Sequence, residues 1–323
     1  MSLRVASLLP SATEIVCAVG GAGDLVGISH ECDFPDGVRG LPTLTRARLR
    51  AVSGSRAIDR EVRAILQDAL AVYEIELARL QAARPDVIVT QDLCDVCAVS
   101  FDDVCAATAT LVHQPISIVK LHPVRLADIW GDIQRVAEAL GRATEGAAAA
   151  RDLRARVDAI AARSRAAAAR PRVVTIEWVD PVMIAGMWMP ELIELASGTP
   201  LVTTSGGHAP TLSREALSAL SPDVVLVAPC GFSLDRTVNE LELLRTSLPW
   251  ESWGAVQHGR VYVADGNAFF NRPGPRIVET LEIVAACLHP RLFDDFRRKH
   301  RGSVVQLDVN GTAHPFDSPS ESP

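Results

Sequence analysis

Positive charge is scarce in this sequence, and so are long apolar runs. Acidic residues number 39 against 32 basic ones, leaving a net charge of −7 near neutral pH. A face that tracks phosphates needs clustered cations, so nucleic-acid binding is excluded as the main role. The longest uncharged window, Leu195 to Ser213, is broken by Gly, Ser, Thr and Pro and is no membrane span. Nucleotide signatures are missing too. Gly20-Gly21-Ala22-Gly23 closes a helix instead of opening one after a strand, and no P-loop is present. There is no G-x-S-x-G elbow, and Ser205-Gly206-Gly207-His208 has no base and orienting acid at an identifying spacing. The opening apolar stretch, Val5 to Leu9, is too short for a signal-peptide core and ends at Pro10. It reads as a first strand, and the expectation is a cytoplasmic chain whose seven cysteines stay reduced.

What is there is ordinary globular material, 48% hydrophobic and 22% charged. A length of 323 residues suggests about two domains. Short apolar runs at Arg4–Leu9, Leu25–Ser29, Val87–Thr90 and Ile116–Val119 read as strands. Helical stretches separate them, at Ala12–Val19 (capped by Ser11 with Glu14), Ile58–Ala82 and Asp102–Leu111. The alternation predicts an α/β fold with a mostly parallel sheet and helices on both faces. Val124–Leu140 is helical, and Thr144–Ala169 is a long Ala- and Arg-rich helix of roughly 39 Å, read as a rigid connector.

The second half echoes the first. Arg172-Val173-Val174-Thr175-Ile176 parallels Arg4-Val5-Ala6-Ser7-Leu8, and Pro222-Asp223-Val224 parallels Pro85-Asp86-Val87. Two similar three-layer lobes are therefore expected, at 1–122 and 171–290, with connecting helices at 123–170. A partly disordered extension is expected at 291–323, with a small hairpin at Asn310-Gly311.

Ligands of open parallel sheets bind beyond the carboxyl ends of the strands. Pro10-Ser11, His30-Glu31-Cys32-Asp33 and Gln91 to Cys97 fall there in the first lobe. Glu177-Trp178, Ser205 to His208, Pro229 to Phe232 and Asp265 to Arg276 fall there in the second. If the lobes face each other, these groups line one cleft. Cys94 and Cys97 form a C-x2-C pair which, with His30 and Cys32, suits zinc or another transition metal. The same thiols also read as small buried hydrophobes or as a redox pair. Cys17, Cys105 and Cys287 are expected in the core. Trp178 and Trp188 flank Met183 and Met187 ahead of a helix near Pro190. With Phe269-Phe270 beside Arg272, they suit a broad, flat apolar ligand with an anionic or amide group.

The opening Arg4 to Glu14, the Pro-Asp strand of each lobe, Gly259-Arg260-Val261-Tyr262 and Pro273-Gly274-Pro275-Arg276 resemble the cobalamin- and siderophore-type solute-binding proteins of the class III periplasmic-binding fold. His30 to Asp33 and Gln91 to Val99 are similar to a cobalamin-binding branch. The resemblance implies a non-catalytic protein holding a cobalamin-like corrinoid or metal chelate between its lobes, and an ABC permease as partner. Pro10, Ser11, His30, Glu31, Trp178, Trp188, His208, Phe269, Phe270 and Arg272 are the expected ligand contacts, with His30, Cys32, Cys94 and Cys97 open to a metal. Glu215 falls at the second lobe's permease-docking acid. The first lobe's falls near Ala78, close to Glu76, and the corrin-cradling aromatic falls near Ala209, beside His208. Two alternatives stand beside this one: a metal-binding, chelatase-like enzyme and a thiol-redox enzyme using Cys94 and Cys97.

Overall fold

Val87–Gln91 and Val224–Val227 have every residue buried, as strands covered on both faces must be. The computed structural model describes residues 3–48, 54–67, 72–92, 101–109 and 115–317. The chain divides into two units. The first is Met1–Ser53, Ala57–Leu153 and Pro273–Pro275; the second is Gly54–Arg56, Arg154–Arg272 and Arg276–Pro323.

In chain order the elements run β1 (Val5–Ser7), α1 (Pro10–Ala18), β2 (Leu25–Ile28), β3 (Thr45–Ala47), α2 (Ser55–Gln67), β4 (Tyr73–Ile75) and α3 (Leu77–Ala83). Then come β5 (Val87–Gln91), α4 (Phe101–Ala109), β6 (Ser117–Leu121), α5 (Leu126–Ala139) and α6 (Ala143–Ser164). Among the described residues, β2-β1-β5-β6 form a four-stranded parallel sheet. The division between the units falls inside α6, which ends at Ser164, short of the expected Ala169.

The second part continues with β7 (Arg172–Trp178), β8 (Met183–Ile184), α7 (Met189–Leu195), β9 (Thr199–Pro200), α8 (Arg214–Ser218) and β10 (Val224–Val227). It is completed by α9 (Leu234–Val238), α10 (Leu241–Ser247), α11 (Gly254–Gln257), β11 (Val261–Ala264), α12 (Ile277–Leu288), α13 (Asp294–Lys299), β12 (Val304–Leu307) and β13 (Ala313–Pro315). Its sheet has the order β13-β12-β11-β10-β7-β8, with β9 also on β7. The β7-β10-β11 core is parallel; β8, β12 and β13 are antiparallel additions.

The internal echo of the sequence is a repeated clamp. The Arg4 N–H donates to Asp86 Oδ2 at 2.9 Å, and the Asp86 N–H returns a bond to Arg4 O at 2.8 Å. Arg172 and Asp223 do the same, at 2.8 Å in each direction. Each aspartate thus ties the start of its own strand to that of the neighbouring one.

Four expectations are corrected. Pro10, not Ala12, opens α1. Proline at the first helical position is pre-set for the helix, so Leu9 takes the cap position and Ser11 is buried in the first turn without capping. The stretch 58–82 is not one helix. Tyr73–Ile75 pairs with Thr45–Ala47, and Arg46 and Arg48 both pair with Glu74 across that ladder, overriding helical spacing. Cys105 is exposed and Cys17 half-buried; of the three thiols expected inside, Cys287 is. In the extension, the expected Asn310-Gly311 hairpin is present as β12 and β13, but it is built into the second sheet, with Phe316 fully buried and its carbonyl accepting from Arg297. The last residues, from Ser318, lie outside the described ones.

Asp132 on α5 is 1% exposed. It pairs with Arg135, while its Oδ2 finds no hydrogen-bond partner among the described residues. Burial pushes its pKa up to about 6 against the pull of Arg135. The folded state therefore holds this proton more tightly than the unfolded chain, and the contribution is lost as pH rises through 6. Asp132→Asn is expected to stabilise the protein by roughly 2–3 kcal/mol at pH 7.5. The gain should shrink toward pH 4.5, as read by urea unfolding; a pH-independent difference would contradict the assignment.

Candidate functional site

The carboxyl end of each sheet carries polar and aromatic side chains, and each unit supplies its own set. In the first unit, His30 and Glu31 follow β2. His30 Nδ1 lies 2.7 Å from Thr45 Oγ1, whose own proton goes to Ser29 Oγ at 3.0 Å. Thr45 must therefore accept from Nδ1–H, and Nε2 carries the lone pair. That Nε2 is buried and makes no hydrogen bond among the described residues; Glu31 Oε1 stands 3.4 Å away. The Tyr73 ring meets the imidazole edge-on at 4.8 Å, and its hydroxyl donates to Glu31 at 3.4 Å. Burial lowers the His30 pKa, more than the Glu31 carboxylate raises it, so the ring is neutral.

Cys32 has a different task. Ser7 Oγ donates to Leu9 O at 3.1 Å and Thr13 Oγ1 donates to Ser7 Oγ at 2.8 Å. The remaining 3.0 Å contact must then run from the Cys32 thiol to Thr13 Oγ1. The thiol is buried and turned toward β1 and α1. Among the described residues no group of three or more His, Cys, Asp or Glu gathers as a metal site. Cys94 and Cys97 lie outside the described residues.

In the second unit, Trp178 ends β7 half-buried. Its ring meets Phe232 at 5.2 Å, and the Arg236 guanidinium covers the other ring at 3.7 Å. The Trp178 Nε1–H is buried with no acceptor among the described residues. A π-helical turn, Gly266–Phe270, follows β11, a geometry common at functional sites. It is held by polar bonds: Asp265 Oδ1 accepts from Ala268 N at 2.7 Å, and Asn271 Nδ2 donates to Ala228 O and Gly266 O, both at 3.1 Å. Phe269 is half-buried on this turn, whereas Phe270 is buried. Arg272 is 4% exposed and donates to Asn267 Oδ1 at 3.0 Å, so it builds the turn.

Trp188 is also interior, its N–H donating to Phe270 O at 3.3 Å. The Met183–Met189 stretch divides between half-buried and buried residues, with Met187 at φ 53°. The backbone of Met187 pairs with Gly206 and Gly207, and His208 is exposed beside them. Pro10 is half-buried and Ser11 buried. Glu215 is exposed in the first turn of α8, where its own backbone N–H and Ser213 hold its carboxyl below the usual range. Glu76 precedes α3 and pairs with Arg46 at 2.9 Å.

Thr45, Arg236 and Tyr73 are residues that the sequence reading does not single out. Phe232 had a signal in Pro229-Cys230-Gly231-Phe232 at a strand end; Thr45 and Tyr73 reach His30 only through the β3–β4 pairing.

The model of the periplasmic binding protein family matches residues 5–268. The chain belongs to the periplasmic binding protein family. A sequence comparison with curated proteins finds no match. Among solved structures, this binding protein is similar to the periplasmic heme-binding protein RhuT of Roseiflexus sp. RS-1. Identity is 21%, with 92% of this chain and 100% of that one covered, at a TM-score of 0.67. The periplasmic vitamin B12 binding protein BtuF of Vibrio cholerae is 20% identical, over 88% and 96%, at 0.62. An ABC transporter substrate-binding protein of Listeria monocytogenes EGD-e is 17% identical, over 90% and 100%, at 0.68. At these identities the likeness is one of fold.

Membership settles two points. The chain is a binding protein and not an enzyme, which sets aside the chelatase-like and thiol-redox alternatives. It also overturns the cytoplasmic expectation, because the family is periplasmic. That expectation rested on where the sequence starts, which carries no information on compartment, and the argument for reduced thiols falls with it.

Gly266 sits where a Cβ would lie 2.2 Å from Pro229 O. Gly266→Ala should therefore cost about 1–3 kcal/mol in urea unfolding. Gly302→Ala, with open space around it, should change little; equal effects would contradict the packing described.

Proposed function

We propose that this binding protein captures a flat metal chelate of the tetrapyrrole class, with a cobalamin-like corrinoid as first candidate, and delivers it to an ABC permease. The observation that carries this reading is His30: a neutral imidazole, fixed in one tautomer, whose Nε2 makes no hydrogen bond among the described residues at the carboxyl edge of the first sheet, with Glu31 Oε1 3.4 Å away. A chelated metal already has most of its donors and needs only an axial ligand, which neutral imidazole supplies. The Trp178 N–H, without an acceptor among the described residues, and the half-buried ring of Phe269 support a broad ligand with an acceptor on its rim. Structural neighbours named for heme and for vitamin B12 agree with that class. Glu215 and Glu76 are proposed as the permease-facing acids. A bare zinc ion is the less favoured reading, because Cys32 is turned toward Thr13.

Titration with cobalamin and, separately, with hemin should change the visible absorption spectrum of at least one of them. His30→Ala should weaken that binding about 10-fold or more and shift the bound spectrum. Because burial lowers the His30 pKa below 6.5, affinity should hold at neutral pH and fall as pH descends through the lowered value, where a proton competes for Nε2. No spectral change with either compound would refute the proposal.

A further inference from the structure

Phe269 is the half-buried aromatic of the π-helical turn, and its placement is decided from outside that turn. Its ring meets the His300 imidazole edge-on at 5.8 Å and 85°, while the Arg276 guanidinium lies 5.6 Å from its centroid. His300 closes α13 and is 5% exposed. Its Nε2 lies 2.8 Å from Glu282 Oε2 on α12. Glu282 in turn accepts from Lys299 at 2.6 Å and from Arg156 of α6 at 3.1 Å. Burial alone would raise the Glu282 pKa, but these three partners bring it down to about 2. The carboxylate is therefore a fixed anion at any working pH, and it anchors the imidazole. A second tie runs the same way: Asp265, which caps the turn, donates its N–H to Ser303 O at 2.9 Å.

Networks of this kind are costly if half satisfied, and they impose one geometry when complete. A stack of His300 on Phe269 alone would be worth little. Backed by a buried carboxylate that Lys299 and Arg156 also hold, it fixes the ring in one orientation. We infer that His300, anchored by Glu282, is a positioning residue that sets the Phe269 ring for ligand binding. The inference rests on the reading of Phe269 as a ligand-facing aromatic, and it assigns the segment around α13 a part in binding.

The test uses the full chain with 4-fluorophenylalanine at position 269, read by fluorine NMR, alongside titrations with hemin and cobalamin. The wild-type background should give one narrow line. His300→Ala should shift or broaden it, and so should His300→Phe, which keeps an aromatic edge but offers Glu282 nothing to hold. Glu282→Gln should act like a weaker His300→Ala and serves if that variant fails to fold. Ligand affinity should fall about 10-fold in His300→Ala and fall likewise in His300→Phe; full recovery in His300→Phe would overturn the part given to Glu282. In the Phe269→Ala background, His300→Ala should cost nothing further, because a residue acting only through Phe269 has nothing left to position. An unchanged fluorine line in His300→Ala, or full additivity of the two losses, overturns the inference. A line that responds in a protein that binds neither compound supports the ring placement and refutes the tetrapyrrole reading, so the two failures are distinguishable.

Discussion

Strands covered on both faces leave no room for chemistry along their length. In β5 and β10 every side chain is buried, and the backbone groups of these strands are taken up by the sheet. Polar function is thereby driven to the strand ends. At the amino ends, Arg4 with Asp86 and Arg172 with Asp223 close on each other and fix which strands lie side by side. At the carboxyl ends the chain leaves the sheet through loops and turns, and there the imidazole of His30, the indole of Trp178 and the ring of Phe269 are presented. The division of labour between the two ends follows from the sheet, not from the identity of the ligand.

The alternation of apolar runs and helical stretches was legible because its signal is local. The strand expected at Val87–Thr90, the parallel core of the second sheet, the loop that carries His30 and the strand end that carries Trp178 could all be placed from spacing. Less legible were features that depend on partners distant in sequence. Tyr73–Ile75 is a strand because Arg46 and Arg48 face Glu74, which no helical pattern reports. Trp188, Phe270 and Arg272 read as ligand contacts because bulky and cationic residues in a loop look available. All three are buried, and Trp188 and Arg272 also bond Phe270 O and Asn267 Oδ1 within the second unit. The polar segment after Gly302 looked like a tail, yet Val304, Leu307 and Phe316 are fully buried, although Val309 is exposed.

A binding protein needs its site formed before the ligand arrives, since every group ordered on binding subtracts from affinity. The hydroxyls of Thr45 and Ser29 set the tautomer of His30. The one-way run of donors from Cys32 through Thr13 and Ser7 to Leu9 O locks the loop after β2 onto β1 and α1. In the second unit, Asp265 and Asn271 spend their hydrogen bonds on the π-helical turn. These residues contact no ligand in this reading; their work is to make the shape of each edge permanent.

The second sheet also shows how its growth is stopped. It ends on one side in β13, three exposed residues closing at Pro315, and on the other in β8, only two residues long. Proline has no N–H to offer a further strand, and two residues are too short a template. A sheet rich in valine and isoleucine is a hazard if its rim can recruit another chain. Both rims of this one are poor templates, so the same hydrophobic strands that build the core do not seed assembly with their neighbours.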